Sequence, residues 1–175
     1  MASFQAVTLA DSKQNFHALS DKWTFWTHLP HDTNWNINSY KPVLTFSTAE
    51  EIISLLKVLP EKLVKNCMLF MMRDGIQPTW EDEKNKDGGC FSYKISNKVV
   101  KNIWNSLCYS IVGETISNDP KFIKCINGIT ISPKKAFCII KIWMYNCDYQ
   151  NPAKIINIDG LSSQGCIFKK HLPEY

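Results

Sequence analysis

The sequence predicts an α+β fold, an antiparallel sheet with helices packed on one of its faces. Three observations predict it. Strand-like segments outnumber helical ones. Both helical segments are amphipathic, with a single apolar stripe each. The segment from Ala136 to Tyr145 alternates: Ile140, Ile142 and Met144 point one way, while Lys141, Trp143 and Tyr145 point the other. A Lys, a Trp and a Tyr on one face suit a ligand wall better than a core, so the helices belong on one face and the other is free to bind.

Residues 1–16 lack periodicity and read as a flexible tail; residues 17–175 read as a single domain. Trp23 to Leu29 is strand-like. His31 to Tyr40 is polar and Asn-rich, a loop carrying Trp35. Val43 to Phe46 is a short strand. Ser47, with Glu50 three residues on, reads as a capping box opening a helix. Ile52, Leu55, Leu56 and Leu59 make its stripe, and Pro60 ends it. Cys67 to Met72 and Cys90 to Ile95 are apolar strands. Val100, Ile103, Trp104, Leu107 and Ile111 form a second amphipathic helix, ended at Gly113. Further strands are expected at Phe122 to Ile131, Ala136 to Tyr145, Lys154 to Ile158 and Cys166 to Lys169. Trp23, Trp26 and Trp104 fall on periodic apolar patterns and are assigned to the core.

Composition bounds the function. The chain's 175 residues suffice for one domain with a core, and 45% hydrophobic with 21% charged residues is ordinary for a soluble globule. No apolar run is long enough to span a bilayer, and no signal-peptide pattern opens the chain. The seven Cys are scattered without CxxC or Cys/His clustering, which fits a reducing cytoplasm better than disulfides or a metal site. Arg73 is the sole arginine. Phosphate contacts must therefore come from lysines, which are point charges without a bidentate fork. Lys, Asn and Ile abound; their AT-rich codons suggest an AT-rich genome, such as that of a large DNA virus or a protist.

The segment Asp74 to Gly89, DGIQPTWEDEKNKDGG, is too polar for a core strand and too rich in Gly and Pro for a helix interior. It reads as an exposed loop that sets Trp80 beside Glu81, Asp82 and Glu83. An exposed indole calls for a reason. An indole next to a carboxylate can stack on a flat base and accept hydrogen bonds from its donor edge, and guanine offers N1–H and N2–H₂ side by side.

This loop closely resembles that of the eukaryotic translation initiation factor 4E family, which binds the 7-methylguanosine cap of mRNA. WEDEKNK, with DGI-P before and GG after, carries the likeness. Trp23-Thr24-Phe25-Trp26, Trp35, Ile103-Trp104, Val112-Gly113-Glu114 and Ile142-Trp143 agree in order. The likeness runs from about His17 to Trp143 and resumes weakly at Pro152 to Ile156, which looks like the family's last core strands. It implies a curved sheet with helices on the convex face and a cap slot on the concave side. It implies Trp35 and Trp80 as the walls of a base sandwich, Glu81 on the guanine edge, and Trp143 near the methyl group. Stacking supplies roughly 1–3 kcal/mol per base, with a cation–π increment for the methylated ring.

The chain departs from the family in three places. Cys90 stands where the family has an Arg. Lys134 and Lys135, with Lys141, are then the candidate phosphate contacts, against the alternative that the loop pair is solvated surface. At the partner-docking positions, next to His17, the family's Pro, Trp and Leu are Ala18, Ile53 and Asn105. Losing an aromatic hot spot can cost about 2–4 kcal/mol of binding. The partner expected is therefore the scaffold-type initiation factor or a divergent equivalent. Asn146 to Asn151 is short, and the family's third helix reads as deleted. Lys169-Lys170-His171 either reaches the second nucleotide or is a basic tail, and the tail is the preferred reading. No metal, cofactor or membrane is expected, and a monomer is. Besides an initiation factor, the residues allow a cap-binding repressor. A cap-processing enzyme fits poorly, since its hydrolysis needs converging carboxylates and the acidic run here lies on the cap loop.

Overall fold

The computed structural model describes residues 16–171. Phe16 alone of the expected tail falls among them. Seven strands, β1 (Ala18–His28), β2 (Tyr40–Thr48), β3 (Met68–Arg73), β4 (Gly89–Ser96), β5 (Ile126–Pro133), β6 (Phe137–Met144) and β7 (Cys166–Lys170), form one curved antiparallel sheet. Its order is β2-β1-β3-β5-β6-β4-β7, so β2 and β7 are the edges and the sheet does not close. Register shifts in β1 and β5 add bend.

Four helices cover the convex face: α1 (Ala49–Val58), α2 (Glu61–Asn66), α3 (Val100–Val112) and α4 (Pro120–Lys124). Alternation along the strands builds the main core there. Trp23 and Phe25, Leu69 and Met71, Ile129 and Ile131, Ile140 and Ile142, and Phe91 and Tyr93 all face the helices. From α3, Val100, Ile103, Trp104, Leu107, Cys108, Ile111 and Val112 enter it. Each large side chain so buried contributes roughly 1.5–3 kcal/mol. Lys101 Nζ donates to the carbonyls of Leu56 (3.0 Å) and Leu59 (2.8 Å), satisfying the C-terminal end of α1 from α3.

Several expectations need correction. The capping box of α1 is Thr48 with Glu51, not Ser47 with Glu50, because β2 runs on through Ser47. Glu50 instead accepts from the His17 backbone N–H at 3.0 Å. Helix α2 was not anticipated; Pro60 ends α1 but also opens α2 as its N-cap. The segment expected as a strand from Phe122 divides into α4 and β5. Asp119 Oδ1 accepts from Lys121 N–H (3.0 Å) and Phe122 N–H (3.4 Å), and Pro120 sits at the first helical position. The expected strand Lys154 to Ile158 is a 3₁₀ turn and irregular chain, so the family's last core strands are not at Pro152 to Ile156. Ile155 and Ile158 are buried three residues apart, which a strand's period of two does not allow on one face. Trp23 and Trp104 are in the core as expected, but Trp26 is half-buried on the opposite, concave face. After β6 only 3₁₀ turns and β7 occur among the described residues, as the expected loss of a third long helix requires.

Arg73 is committed to structure. Its Nε–H donates to the Ile126 carbonyl (2.6 Å), Nη2 donates to the Ile123 carbonyl (3.1 Å), and Nη1 pairs with Asp21. Its guanidinium also lies over Trp23, 4.8 Å from the ring centroid. The only arginine thus ties β1, β3 and α4 together.

Candidate nucleic-acid interface

On the concave face a second, smaller apolar cluster forms from Tyr40, Phe70, Met72, Ile76, Cys90 and Trp143, with Trp26 at its margin. Two loops rise beside it. The first, between β1 and β2, carries Trp35, which is 57% exposed. One face of this indole stacks on His28, with centroids 4.5 Å apart and planes within 5°. His28 is buried, and its Nε2–H donates to the Asn34 carbonyl at 2.8 Å, which sets the tautomer. His28 meets Tyr40 edge-on at 5.0 Å, and Tyr40 meets Phe70 edge-on at 5.3 Å. A ladder of four rings therefore roots an exposed Trp in the cluster. Sequence reasoning did not single out His28; its place in strand parity, on the face of Trp26, was the available signal.

The second loop, between β3 and β4, carries Trp80, which is 46% exposed, and Glu81. Burial, then the Glu81 carboxylate, pushes the Tyr40 phenol above its ordinary range. Ile76, at the start of this loop, and Tyr40, at the root of the ring ladder, belong to the same concave cluster, so both loops rise from it.

The loop is held from within. Asp82 Oδ2 accepts from Gln77 N–H (2.9 Å) and Oδ1 from Lys84 N–H (2.8 Å), so this carboxylate is structural. Glu83 pairs with Lys86 at 2.6 Å on the surface. Asn85 is wholly buried. Its Nδ2 donates to the carbonyls of Gln77 (3.0 Å) and Thr79 (2.8 Å), and its Oδ1 accepts from Asn127 Nδ2 (2.9 Å).

Trp143 lies on the concave face, as parity predicted, but is only 8% exposed. Its Nε1–H donates to Thr130 Oγ1 at 3.1 Å. Its ring meets His171 at 4.6 Å. Lys169-Lys170-His171 is therefore no tail. Lys169 and Lys170 belong to β7, paired to β4, and His171 Nδ1–H donates to the Asn85 carbonyl at 2.7 Å. Burial pushes the His171 pKa down, so the ring is neutral at pH 7.

Of the lysines, Lys141 projects on the concave face beside this group. Lys134 and Lys135 are exposed in the β5–β6 turn, at the far end of the hairpin. Trp143 pairs with Gly128 and Cys138 with Pro133, a strand distance of roughly 17 Å at about 3.4 Å per residue. A cleft of about 420 Å³ lined by His28, Trp35, Met68 and Pro133 lies at that end. Among the described residues no His, Cys, Asp or Glu group is arranged to hold a metal, and no helix could cross a membrane.

The other proposed face is on the helical side. Ala18 is exposed, Ile53 is 38% exposed, and His17 Nδ1 meets Glu50 Oε1 at 2.6 Å. Asn105 is half-buried, with its Oδ1 unpartnered.

Comparison with known proteins agrees with this fold. The family description "Eukaryotic initiation factor 4E" matches residues 18–166. The Candida albicans initiation factor 4E is 30% identical over 159 residues, covering 83% of this chain and 74% of that protein. The Saccharomyces cerevisiae factor is 30% identical over 134 residues, covering 73% of this chain and 61% of that one. A homologue from Acanthamoeba polyphaga mimivirus is 30% identical over 128 residues, covering 65% of this chain and 47% of that one. Among solved structures, schistosome eIF4E complexed with m7GpppG and 4E-BP matches with a TM-score of 0.70 at 22% identity, over 77% of this chain and 75% of that one. The Ascaris suum eIF4E-3 complex with the m7G cap matches with a TM-score of 0.68 at 22% identity, over 76% of each. The chain belongs to the eukaryotic initiation factor 4E family.

Proposed function

We propose that this protein binds the 7-methylguanosine cap of mRNA and recruits capped mRNA for translation initiation in the cytoplasm. It acts as a monomeric, single-domain binding module spanning residues 17–175, not as an enzyme. Trp35 and Trp80 sandwich the methylated base, and Glu81 accepts from its N1–H and N2–H₂ while balancing its positive charge. Trp143 backs the methyl group, and Lys141, Lys134 and Lys135 meet the phosphates. The observation that carries this reading is the common root of the two loops. Ile76 of the loop that carries Trp80 and Glu81 shares the concave cluster with Tyr40, and Tyr40 joins through His28 to an indole that is half open to solvent. The cap ligands in the related complexes support it.

Tryptophan-fluorescence titration with 7-methyl-GTP and GTP tests it. Strong quenching by the methylated ligand alone is expected. Glu81→Ala should weaken it about 10- to 150-fold, since a buried charge-assisted bond to the base is worth about 1.5–3 kcal/mol. Equal response to both nucleotides, or an unaffected Glu81→Ala variant, would refute the assignment.

A second reading, a repressor that holds the cap without the usual partner, is favoured by the helical face. Ile53 offers a small, partly exposed anchor, and Asn105 Oδ1 is an unpartnered buried acceptor. A scaffold-type initiation factor or a divergent equivalent docks there in the first reading. Tethering the protein to a capped reporter separates the two, since translation rises for an initiator and falls for a repressor.

A further inference from the structure

We infer that Lys169 of the edge strand β7 and Lys141 of β6 together form a cationic seat that grips the phosphate chain of the capped nucleotide. The inference rests on the cap-binding reading and adds to it a residue from the C-terminal edge strand.

Strand register places the residues. Cys90 of β4 pairs with Trp143 on one side and with Lys169 on the other. Directly paired residues share a face, so Trp143, Cys90 and Lys169 form one row across the concave side. Lys141, two residues before Trp143, is in the next row of the same face. An independent contact fixes the parity of β7. Phe168 meets Phe91 of the convex core edge-on at 5.0 Å, so its neighbour Lys169 faces the other way.

The electrostatics agree. Burial pushes the Cys90 thiol up, so it is neutral at pH 7, and the ammonium groups of both Lys141 and Lys169 act against that shift. The two lysines therefore flank one sulfur, from β6 and from β7. Among the described residues neither is ion-paired to a carboxylate. Two cations held about an uncharged centre repel each other and favour an anion between them. A lysine on an edge strand also discourages strand addition, but that role does not require it to face Trp143. Both lysines lie within one row of Trp143, whereas Lys134 and Lys135 sit roughly 17 Å along the hairpin.

Calorimetric titration of the wild type, Lys169→Ala and Lys169→Arg tests the seat, with Lys98→Ala as an exposed control. The probes are 7-methyl-GTP, 7-methylguanosine without phosphates, and inorganic tripolyphosphate, each at low and high salt. Lys169→Ala is expected to weaken 7-methyl-GTP about 3- to 10-fold at low salt and to flatten its salt dependence. It should leave 7-methylguanosine unchanged, and Lys169→Arg should restore binding. Unchanged 7-methyl-GTP affinity, or equal losses for nucleotide and nucleoside, would overturn the seat while leaving base recognition standing. A wild type that ignores N7 methylation would instead remove base recognition. Tripolyphosphate then decides the seat alone, because binding that is insensitive to Lys169→Ala overturns it.

Discussion

Asn85→Ala is expected to abolish most cap affinity while the sheet and convex core stay folded. The substitution removes two donors and an acceptor from a wholly buried site. The carbonyls of Gln77 and Thr79 and the Asn127 amide lose partners at 3.0, 2.8 and 2.9 Å. Each buried group left unpaired costs about 1–3 kcal/mol, less where water enters. A local loss of about 2–4 kcal/mol should release the loop that orients Trp80 and Glu81. Affinity for 7-methyl-GTP should fall about 30-fold or more, since 1.4 kcal/mol is tenfold. Far-ultraviolet circular dichroism should change little, because the convex core takes nothing from this loop. Retained affinity in a folded Asn85→Ala protein would show that the loop holds its shape without this side chain.

Gly88→Ala should damage the whole fold rather than the loop. A Cβ at this position would lie 1.8 Å from the Met144 carbonyl oxygen and 3.0 Å from the Tyr145 carbonyl carbon. Both are backbone atoms, and Met144 is bound in the sheet by its pairs with Gly89 and Ile126. Relief therefore requires β4 and β6 to part where the Trp143 row begins. Overpacking of this kind costs about 3 kcal/mol, which for a chain of this size lowers the melting temperature by roughly 6–12 °C. Gly165→Ala is the control, since nothing lies within 4 Å of its Cβ. A Gly88→Ala protein melting with the wild type would contradict the close approach.

Much of this was legible in the sequence because it is local. The stripe of α3 and the alternation of β6 are periodic within one segment, and each element took the predicted form. The errors occurred where two local rules compete over a few residues. Asp119-Pro120 is a helix-start signal, but Phe122 and Ile123 suit either a strand or the five-residue helix that forms. Thr48 and Ser47 are both good caps with a Glu three residues on, and the continuation of β2 decides between them.

The sequence by itself determined the family, the sheet with helices on one face, and the loop that exposes Trp80 beside Glu81. Those properties reside in composition, short motifs and periods of a few residues. Tertiary structure alone decided what surrounds them. Arg73 is consumed by β1 and α4, and Trp35 is seated on His28. The supposed tail becomes β7, with His171 closing onto Asn85 across 86 positions. Such contacts depend on which strands become neighbours and in what register, and hydrogen bonds between residues so distant leave no local pattern to read.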